Sequence, residues 1–476
     1  MAIALVALSI ALRYIAPHYF LAELESVPLV PVATALMILA VGISILRKKI
    51  QLGIPSQAYV LGLLFLWAIV SLAVNAGLGE AAGIFTTDFL RDFVFVVTVM
   101  VCVDNLKRWK IFIGAVMVSM LVVGIFGLPQ TFGPYQCAEW AEGDMANLKF
   151  DGRSCSDVRQ CFDNQPKERL IPGIGPRLYR CERRGWFGVA AYLGRVHWIG
   201  VFDDSNNLAG TVGPLICLLM GIFWASTRKL HRVVWPLLAF FYAAVVYATG
   251  SRGGQLALVV GAGLTLWALW GKKAVILGLA AATALGVLVL TGHMVKVRDE
   301  QKFEGDTRVS DEFRREAMEV GFRLWSHYPI FGVGHSRIDR YHVIDPHNAF
   351  LCAAAELGTP GLLLFTLGLW ANFKGAFRLR RRAREAGNAK YYQLATGLLG
   401  ANVTSTISLT FFLSTYDRLS WMVPMIYSTG LMRAAKEELP EFELRLDYKD
   451  LLLLVPATFA VLGLFYVGLM ASFTMS

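Results

Sequence analysis

Apolar runs recur along the whole chain, separated by short charged segments and by two long polar ones. The hydrocarbon core of a bilayer is crossed by about 17–25 helical residues. Runs of that kind fall at 1–15, 27–46, 54–76, 85–103, 110–128, 206–227, 233–250, 254–271, 274–292, 349–373, 391–414, 421–435 and 451–470. The pattern predicts an all-α polytopic membrane protein with about 12–13 transmembrane helices. The first and twelfth runs are short and fit an interfacial position as well. A cleaved signal peptide is not expected, because the N-terminus has neither a basic start nor a small-residue cleavage pattern.

Basic residues in the short connections set the orientation. Arg47-Lys48-Lys49, Lys107-Arg108-Trp109-Lys110, Arg228-Lys229 with Arg232, Lys272-Lys273, Arg378 to Arg384 and Arg433 to Lys449 all fall on one face when the runs alternate. That face is read as cytoplasmic, with the N-terminus inside and the C-terminus outside. Segments 129–205 and 293–348 then lie outside, together with Ser251-Arg252-Gly253-Gly254. The chain divides into N-terminal helices (1–128), an outer Cys-bearing loop (129–205), helices carrying the Ser-Arg-Gly turn (206–292), a second outer loop (293–348) and C-terminal helices (349–476).

Composition agrees with the pattern. Of 476 residues 56% are hydrophobic and only 17% charged, with a mean hydropathy of +0.52, against about 25% charged for soluble domains. The net charge of +10 matters because the outer loops share it, with ten Lys and Arg in 129–205 and nine in 293–348. Long loops translocate largely regardless of charge, so the excess is read either as solvated loop surface or as an anion-binding vestibule. Nucleic acid is not an expected partner, since these cations face away from the cytoplasm and sit in no nucleic-acid-binding motif.

Four of the seven cysteines, Cys137, Cys155, Cys161 and Cys181, lie in the first outer loop, and Cys102, Cys217 and Cys352 lie in apolar runs. An even set on an oxidising face predicts two disulfides, with three pairings open. Zinc is the lesser alternative, because the gaps do not follow the common C-x2-4-C spacing. The loop itself, rich in Pro and Gly, reads as an irregular, stapled lid. In the second loop, Phe313, Ala317, Val320 and Leu324 repeat at helical spacing over 306–325, which predicts an amphipathic helix ended by Pro329. Segment 374–390 reads as a charged connector at the lipid headgroups.

Four outer segments carry candidate chemistry. Asp203-Asp204-Ser205-Asn206-Asn207 opens the sixth run. Such residues suit a helix cap, and Asp203, Asn206 and Asn207 are also candidate substrate contacts. Arg252 lies between two apolar runs, where its planar fork suits a diphosphate. The amphipathic helix carries Arg308, Arg314, Arg315 and Arg323, of which Arg308 and Arg315, seven apart, share a face. Last come Asp345-Pro346-His347-Asn348 at the head of an apolar run and Glu356 nine residues beyond His347. A titratable group at such an entrance is costly beside lipid and marks a cavity or a partner. Asp345 is close enough in sequence to orient the His347 ring.

Together these segments resemble the O-antigen ligase and O-antigen polymerase superfamily of bacterial envelope glycosyltransferases. The matching pieces are the Asp-Asn segment at 202–207, Ser251-Arg252-Gly253, the Arg helix running into His327-Tyr328-Pro329-Ile330-Phe331-Gly332-Val333-Gly334, and His347-Asn348 with Leu351, Glu356, Gly358, Gly361 and Leu362. They cover about 200–370, and the Cys-bearing loop is not part of the resemblance. It implies an all-helical, GT-C-like transferase of the bacterial inner membrane. Such an enzyme moves a glycan en bloc from undecaprenyl diphosphate to a hydroxyl acceptor at the periplasmic face, with no cofactor or metal. The acceptor, whether a second lipid-linked glycan, lipid A-core or protein, is left open.

On that reading His347 is the general base, Arg252 and Arg315 hold the diphosphate, and Arg308, Arg314, Asn348 and Glu356 contact substrate. A His near its ordinary pKa of about 6.5 suits base catalysis at neutral pH. Asp203-Asp204 is the nearest candidate for a metal site. The competing class is a polysaccharide or lipid-linked oligosaccharide transporter or flippase, which would show paired inverted halves with broken helices near the midplane. Here the polar groups gather at one face instead.

Overall fold

A computed structural model describes the chain except for residues 20–21, 25, 142–143, 157–158, 163–177, 187–190, 192–194, 199–201, 203, 272, 274–299, 343, 412–417, 441, 445 and 475–476. The helices are α1 (Ala2–Ile15), α2 (Leu29–Leu46), α3 (Ser56–Ala76), α4 (Leu78–Ile84), α5 (Leu90–Cys102), α6 (Leu106–Gly127), the short α7 (Arg159–Phe162), α8 (Ser205–Ala225), α9 (His231–Ala248) and α10 (Arg252–Trp270). They continue with α11 (Glu300–His327), α12 (Ala349–Glu385), α13 (Ala389–Phe411), α14 (Arg418–Ala435) and α15 (Tyr448–Thr474). Among the described residues, eight helices are long and apolar enough to cross a membrane: α2, α3, α6, α8, α9, α10, α12 and α15. The expected runs at 1–15, 85–103, 391–414 and 421–435 fall on helices over their described residues too, and the run at 274–292 lies outside the described residues. The protein is an all-α polytopic membrane protein.

Outward faces confirm which solvent the bundle is built for. α2, α9 and α10 present Leu36, Leu39, Leu237, Phe240, Leu256 and Val259 to the exterior. A soluble monomer rarely exposes so continuous an apolar surface, whereas lipid favours it. α8 is the opposite case, buried along most of its length against α9, α10 and α13. Small residues permit that depth. A β-carbon at Gly221 would stand 2.8 Å from the Gln393 carbonyl oxygen, and one at Gly261 would stand 2.8 Å from that of Gly400. Close backbone approach through glycine is the usual packing device between membrane helices.

Two expectations need correction. Segment 374–390 is not a separate connector, because α12 runs through it to Glu385. The Cys-bearing insertion is not irregular throughout either. It holds β1 (Tyr135–Ala141), β2 (Asp144–Ser154) and β3 (Leu178–Arg183) as an antiparallel sheet in the order β2-β1-β3. Register shifts between β1 and β2 break the alternation that would have marked these strands in the sequence.

The element that positions the site is α12, which breaks within its third turn. Gly358 has φ 67° and ψ −172°, and Pro360 follows. The break frees the carbonyls that end the first segment, and a buried unpaired carbonyl is costly. Segment 329–334 supplies the donors: Val333 N–H donates to the Ala355 carbonyl and Gly334 N–H to that of Glu356, both at 3.0 Å. The Trp67 indole of α3 donates to the Leu357 carbonyl at 2.7 Å, and the Ser71 hydroxyl lies 2.9 Å from that of Glu356. In return Thr359 N–H donates to the Pro329 carbonyl at 2.8 Å. This docking is backbone against backbone. A β-carbon at Gly332 would lie 2.2 Å from the Glu356 carbonyl carbon.

Gly332→Ala is expected to lower the unfolding temperature. Gly332 has φ +63°, where an L-residue costs roughly 1–2 kcal/mol before the clash with Glu356 is added. Gly42→Ala, where a β-carbon meets nothing within 4 Å, is the control and is expected to leave stability unchanged or slightly raised. Equal melting of the two variants in detergent would show that the docking is not tight.

Candidate active site

The chemistry gathers where the N-terminal ends of α8, α10 and α12 meet. Asp204 caps α8: its Oδ1 accepts from Asn206 N–H at 2.8 Å, and its Oδ2 accepts from the Asn206 side-chain amide at 3.1 Å. Asn206 Oδ1 in turn accepts from the Ser251 hydroxyl at 2.7 Å and from the Arg195 guanidinium at 3.0 Å. Ser251 caps α10 by accepting from Gly254 N–H at 3.1 Å. A β-carbon at Gly254 would stand 2.5 Å from the Ala209 β-carbon, so α8 and α10 touch there. Arg195 also donates from Nε to the Thr249 carbonyl at 2.8 Å, which fixes the turn before Ser251. Arg252, the first residue of α10, is exposed at this mouth.

α12 brings His347. Asn348 caps the helix, its Oδ1 accepting from Phe350 N–H at 3.1 Å and Leu351 N–H at 3.0 Å, while its amide donates to the Thr410 carbonyl at 2.6 Å. His347 stands just ahead in the left-handed region, φ 48°, a conformation sparsely populated by residues other than glycine. Asp345 holds it there. One carboxylate oxygen accepts from His347 N–H at 2.9 Å and lies 2.5 Å from Nδ1. With Nδ1 facing Asp345, Nε2 points to Asp204, 3.6 Å from Oδ2, an ion-pair separation rather than a hydrogen bond.

The ring therefore lies between two carboxylates. Burial pushes the His347 imidazole toward its neutral form, but Asp204 and Asp345 outweigh burial and hold its pKa up at about 10. Burial likewise favours the protonated form of Asp204, but His347 and the Arg195 charge outweigh it and keep the carboxyl well below the usual carboxylate range. The expectation of an imidazole near 6.5 is corrected: at neutral pH the resting ring is charged, because two acids face it. His197 nearby is held down to about 4, chiefly by burial.

The arginine helix crosses this entrance. A β-carbon at Gly321 of α11 would meet Leu351 at 3.0 Å and Pro346 at 3.2 Å. Arg314, seven residues before Gly321, lies on that same helix face, and Arg315 is one position round from it. The side chain of Arg308 and the whole of Asp203 lie outside the described residues. Arg323 pairs with Glu319 on the exposed side.

The other sequence candidates sort by their contacts. Asn206 belongs to the network, and Asn207 is buried in the first turn of α8. The Asn348 side chain is engaged by the cap and by Thr410. Glu356 is not brought to His347. It is buried, 3.6 Å from His335 Nδ1, and accepts from Ile338 N–H at 3.4 Å, so it anchors the 332–338 turn. Sequence reasoning missed Arg195, which lies in the insertion with no motif around it, and did not single out Asp204 as the partner of His347. The acidic doublet before Ser205 was the signal for the latter.

In the insertion, Cys137 bonds Cys161 and Cys155 bonds Cys181, while Cys102, Cys217 and Cys352 are buried and not disulfide-bonded. Three of those four sulfurs lie within metal-binding distance of one another, but a disulfide sulfur is not the thiolate that zinc takes.

Residues 237–366 match the family model described as O-antigen ligase. The match takes in Arg252, α11, His347 and Glu356 and leaves out Asp204, Arg195 and the insertion. No curated protein matches the chain.

Each disulfide of such a loop is worth typically about 2–4 kcal/mol. Reduction is expected to loosen the β1–β3 sheet while the helical bundle survives. Alkylation with mass spectrometry of the native protein should find Cys137, Cys155, Cys161 and Cys181 blocked. Four loop thiols reacting before reduction would refute the pairing.

Proposed function

We propose that this member of the O-antigen ligase and polymerase superfamily transfers a glycan en bloc from undecaprenyl diphosphate to a hydroxyl acceptor, at the periplasmic face of a bacterial inner membrane. Membership in that superfamily makes the chain a glycan-transferring membrane enzyme. The donor, acceptor and chemistry are our reading. The observation that carries it is His347, oriented through Nδ1 by Asp345 and presented at the mouth of a membrane helix beside the Arg252 turn.

The acceptor hydroxyl enters beside Nε2 and displaces the Asp204 contact. Once Nε2 has given up its own proton to water, the neutral His347 ring takes the hydroxyl proton there as the oxygen attacks the anomeric carbon from the face opposite the diphosphate. The glycosidic C–O bond forms, the bond to the diphosphate breaks with inversion, and undecaprenyl diphosphate leaves with the bonding pair. Arg252 and an arginine of α11 hold the leaving group and offset its charge, which is the work a divalent cation does elsewhere. Arg314, on the α11 face that meets Pro346 and Leu351, and the adjacent Arg315 are the arginines proposed for that role. Asp204, Asn206 and Arg195 form the wall that fixes α8 against α10. Basic clusters at the other helix ends support the periplasmic assignment of this mouth.

His347→Ala is expected to abolish transfer in detergent, where no gradient exists and a transporter would have no work to do. The pH profile is the sharper test. A base held charged up to about pH 10 loses its proton only as pH rises, so the rate should climb from neutral pH toward that value. Asp204→Asn removes one of the two acids that raise the pKa, so the break in the profile should move to lower pH. A profile flat from pH 6 to 10 in the wild type would sink the assignment. Loss of all turnover in Asp204→Asn would favour the second reading that its geometry permits, with the Asp204 carboxylate as proton acceptor.

Arg252→Lys keeps the charge and loses the planar fork. Truncating one partner of a desolvated charge pair costs about 2–5 kcal/mol. Arg252→Ala should therefore be close to inactive and Arg252→Lys strongly impaired, both assayed in excess chelator. Full turnover by Arg252→Lys would reduce Arg252 to an interfacial cation.

A further inference from the structure

α8 links two ends of the bundle. Its first residue follows Asp204, and its last, Ala225, is 21 residues on, about 30 Å away at 1.5 Å per residue. At that far end a crevice of about 440 Å³ opens between α6, α8, α9 and α13. Its inner wall is apolar, formed by Ile113, Met117 and Ile222, and its rim carries Lys110, Arg228 and Lys390. Among the described residues no carboxylate lines it. Glu438, which pairs with Lys390, stands outside the lining.

Two further features define the occupant. The Trp235 indole lines the crevice with its Nε1 buried and without a hydrogen-bond partner among the described residues. A buried donor left unmade is costly, so the site is built to receive an acceptor. The same helix presents Val233, Val234 and Leu237 outward, which makes the crevice continuous with lipid-facing surface. The neighbouring cavity of about 670 Å³ at this end is different in kind. It includes Asp104, Glu437 and Glu443, its Arg108 pairs with Asp104, and its Arg433 is tied to the backbone carbonyls of Gly53 and Gln51.

We propose that the α6–α8–α9–α13 crevice is a binding site for an anionic phospholipid of the leaflet opposite the active site. Its phosphodiester sits at Lys110 and Arg228, an ester carbonyl accepts from Trp235 Nε1, and an acyl chain lies on Ile113, Met117 and Ile222. Basic pockets between helix ends recognise lipid phosphates in this way. The site lies apart from the residues assigned to transfer and does not rest on that assignment.

The test is native mass spectrometry of the full chain released from nanodiscs, together with thermal stabilisation by added lipid. Wild type is expected to retain one phosphatidylglycerol and to be stabilised by it, but not by phosphatidylcholine or inorganic phosphate. The double variant Lys110→Gln/Arg228→Gln should retain it about tenfold less or weaker still, with two phosphate-facing cations removed. Trp235→Phe keeps the ring and loses only the donor, so it should show a smaller loss. Lys48→Gln/Lys49→Gln in the neighbouring cavity should change nothing. Equal retention by the Lys110/Arg228 variant, or equal retention of phosphatidylcholine, overturns the site. Equal stabilisation by inorganic phosphate overturns its assignment to a lipid. The lipid comparisons on wild type and the Trp235→Phe result decide the matter even where the double variant does not fold.

Discussion

A helix that stops inside a membrane protein leaves carbonyls that neither lipid nor water can satisfy, and α12 stops at Gly358. Everything around the site answers that constraint. The carbonyls of Ala355, Glu356 and Leu357 take donors from Val333, Gly334 and Trp67, so segment 329–334 must lie flat against the break. That is why glycine stands at 332 and 358, both at positive φ, where a β-carbon would enter the opposing backbone. Irregular backbone at membrane depth is tolerated only where protein buries it, and here α3 and the 329–334 segment do so.

The same docking fixes the catalytic end. α11 leads directly into segment 329–334, so clamping that segment to α12 also holds α11 across the α12 entrance, with Gly321 on Pro346 and Leu351. The arginine helix and His347 are thus positioned by one joint. The buried Glu356–His335 contact belongs to the joint: Glu356 accepts from Ile338 N–H and sits against the turn that returns the chain toward Asp345.

What was legible followed from period and solvent. Apolar runs of bilayer length are readable one at a time, since each helix satisfies its own backbone, and all but one of the expected runs fall on described helices. The cap of α8 was readable for the same local reason, since the Asp203–Asn207 segment stands at the head of a run; those of α10 and α12, Ser251 and Asn348, came only with the structure. The site itself was readable only in parts. His347, Arg252 and the Asn206 segment announced themselves as polar residues at helix mouths. Arg195 did not, because it reaches Asn206 from an insertion whose path depends on two disulfides and a sheet with shifted register. The imidazole's charge was not legible either, since it depends on Asp204, 143 positions away in sequence, meeting Nε2.

That last contact explains how a charged site survives at a membrane mouth. An imidazolium alone, or two carboxylates alone, would be expelled to water or neutralised. Together Asp345, His347 and Asp204 neutralise most of their own charge, and Arg195 balances the remaining acid through Asn206 and its nearby guanidinium. The resting site is therefore close to neutral within, with Arg252 and the arginines of α11 at the rim. On the proposed reading, that rim suits an anionic diphosphate and the paired interior a neutral sugar hydroxyl. On the proposed mechanism, an acceptor that displaces Asp204 from Nε2 unbalances the trio, which would couple arrival of the hydroxyl to release of the base.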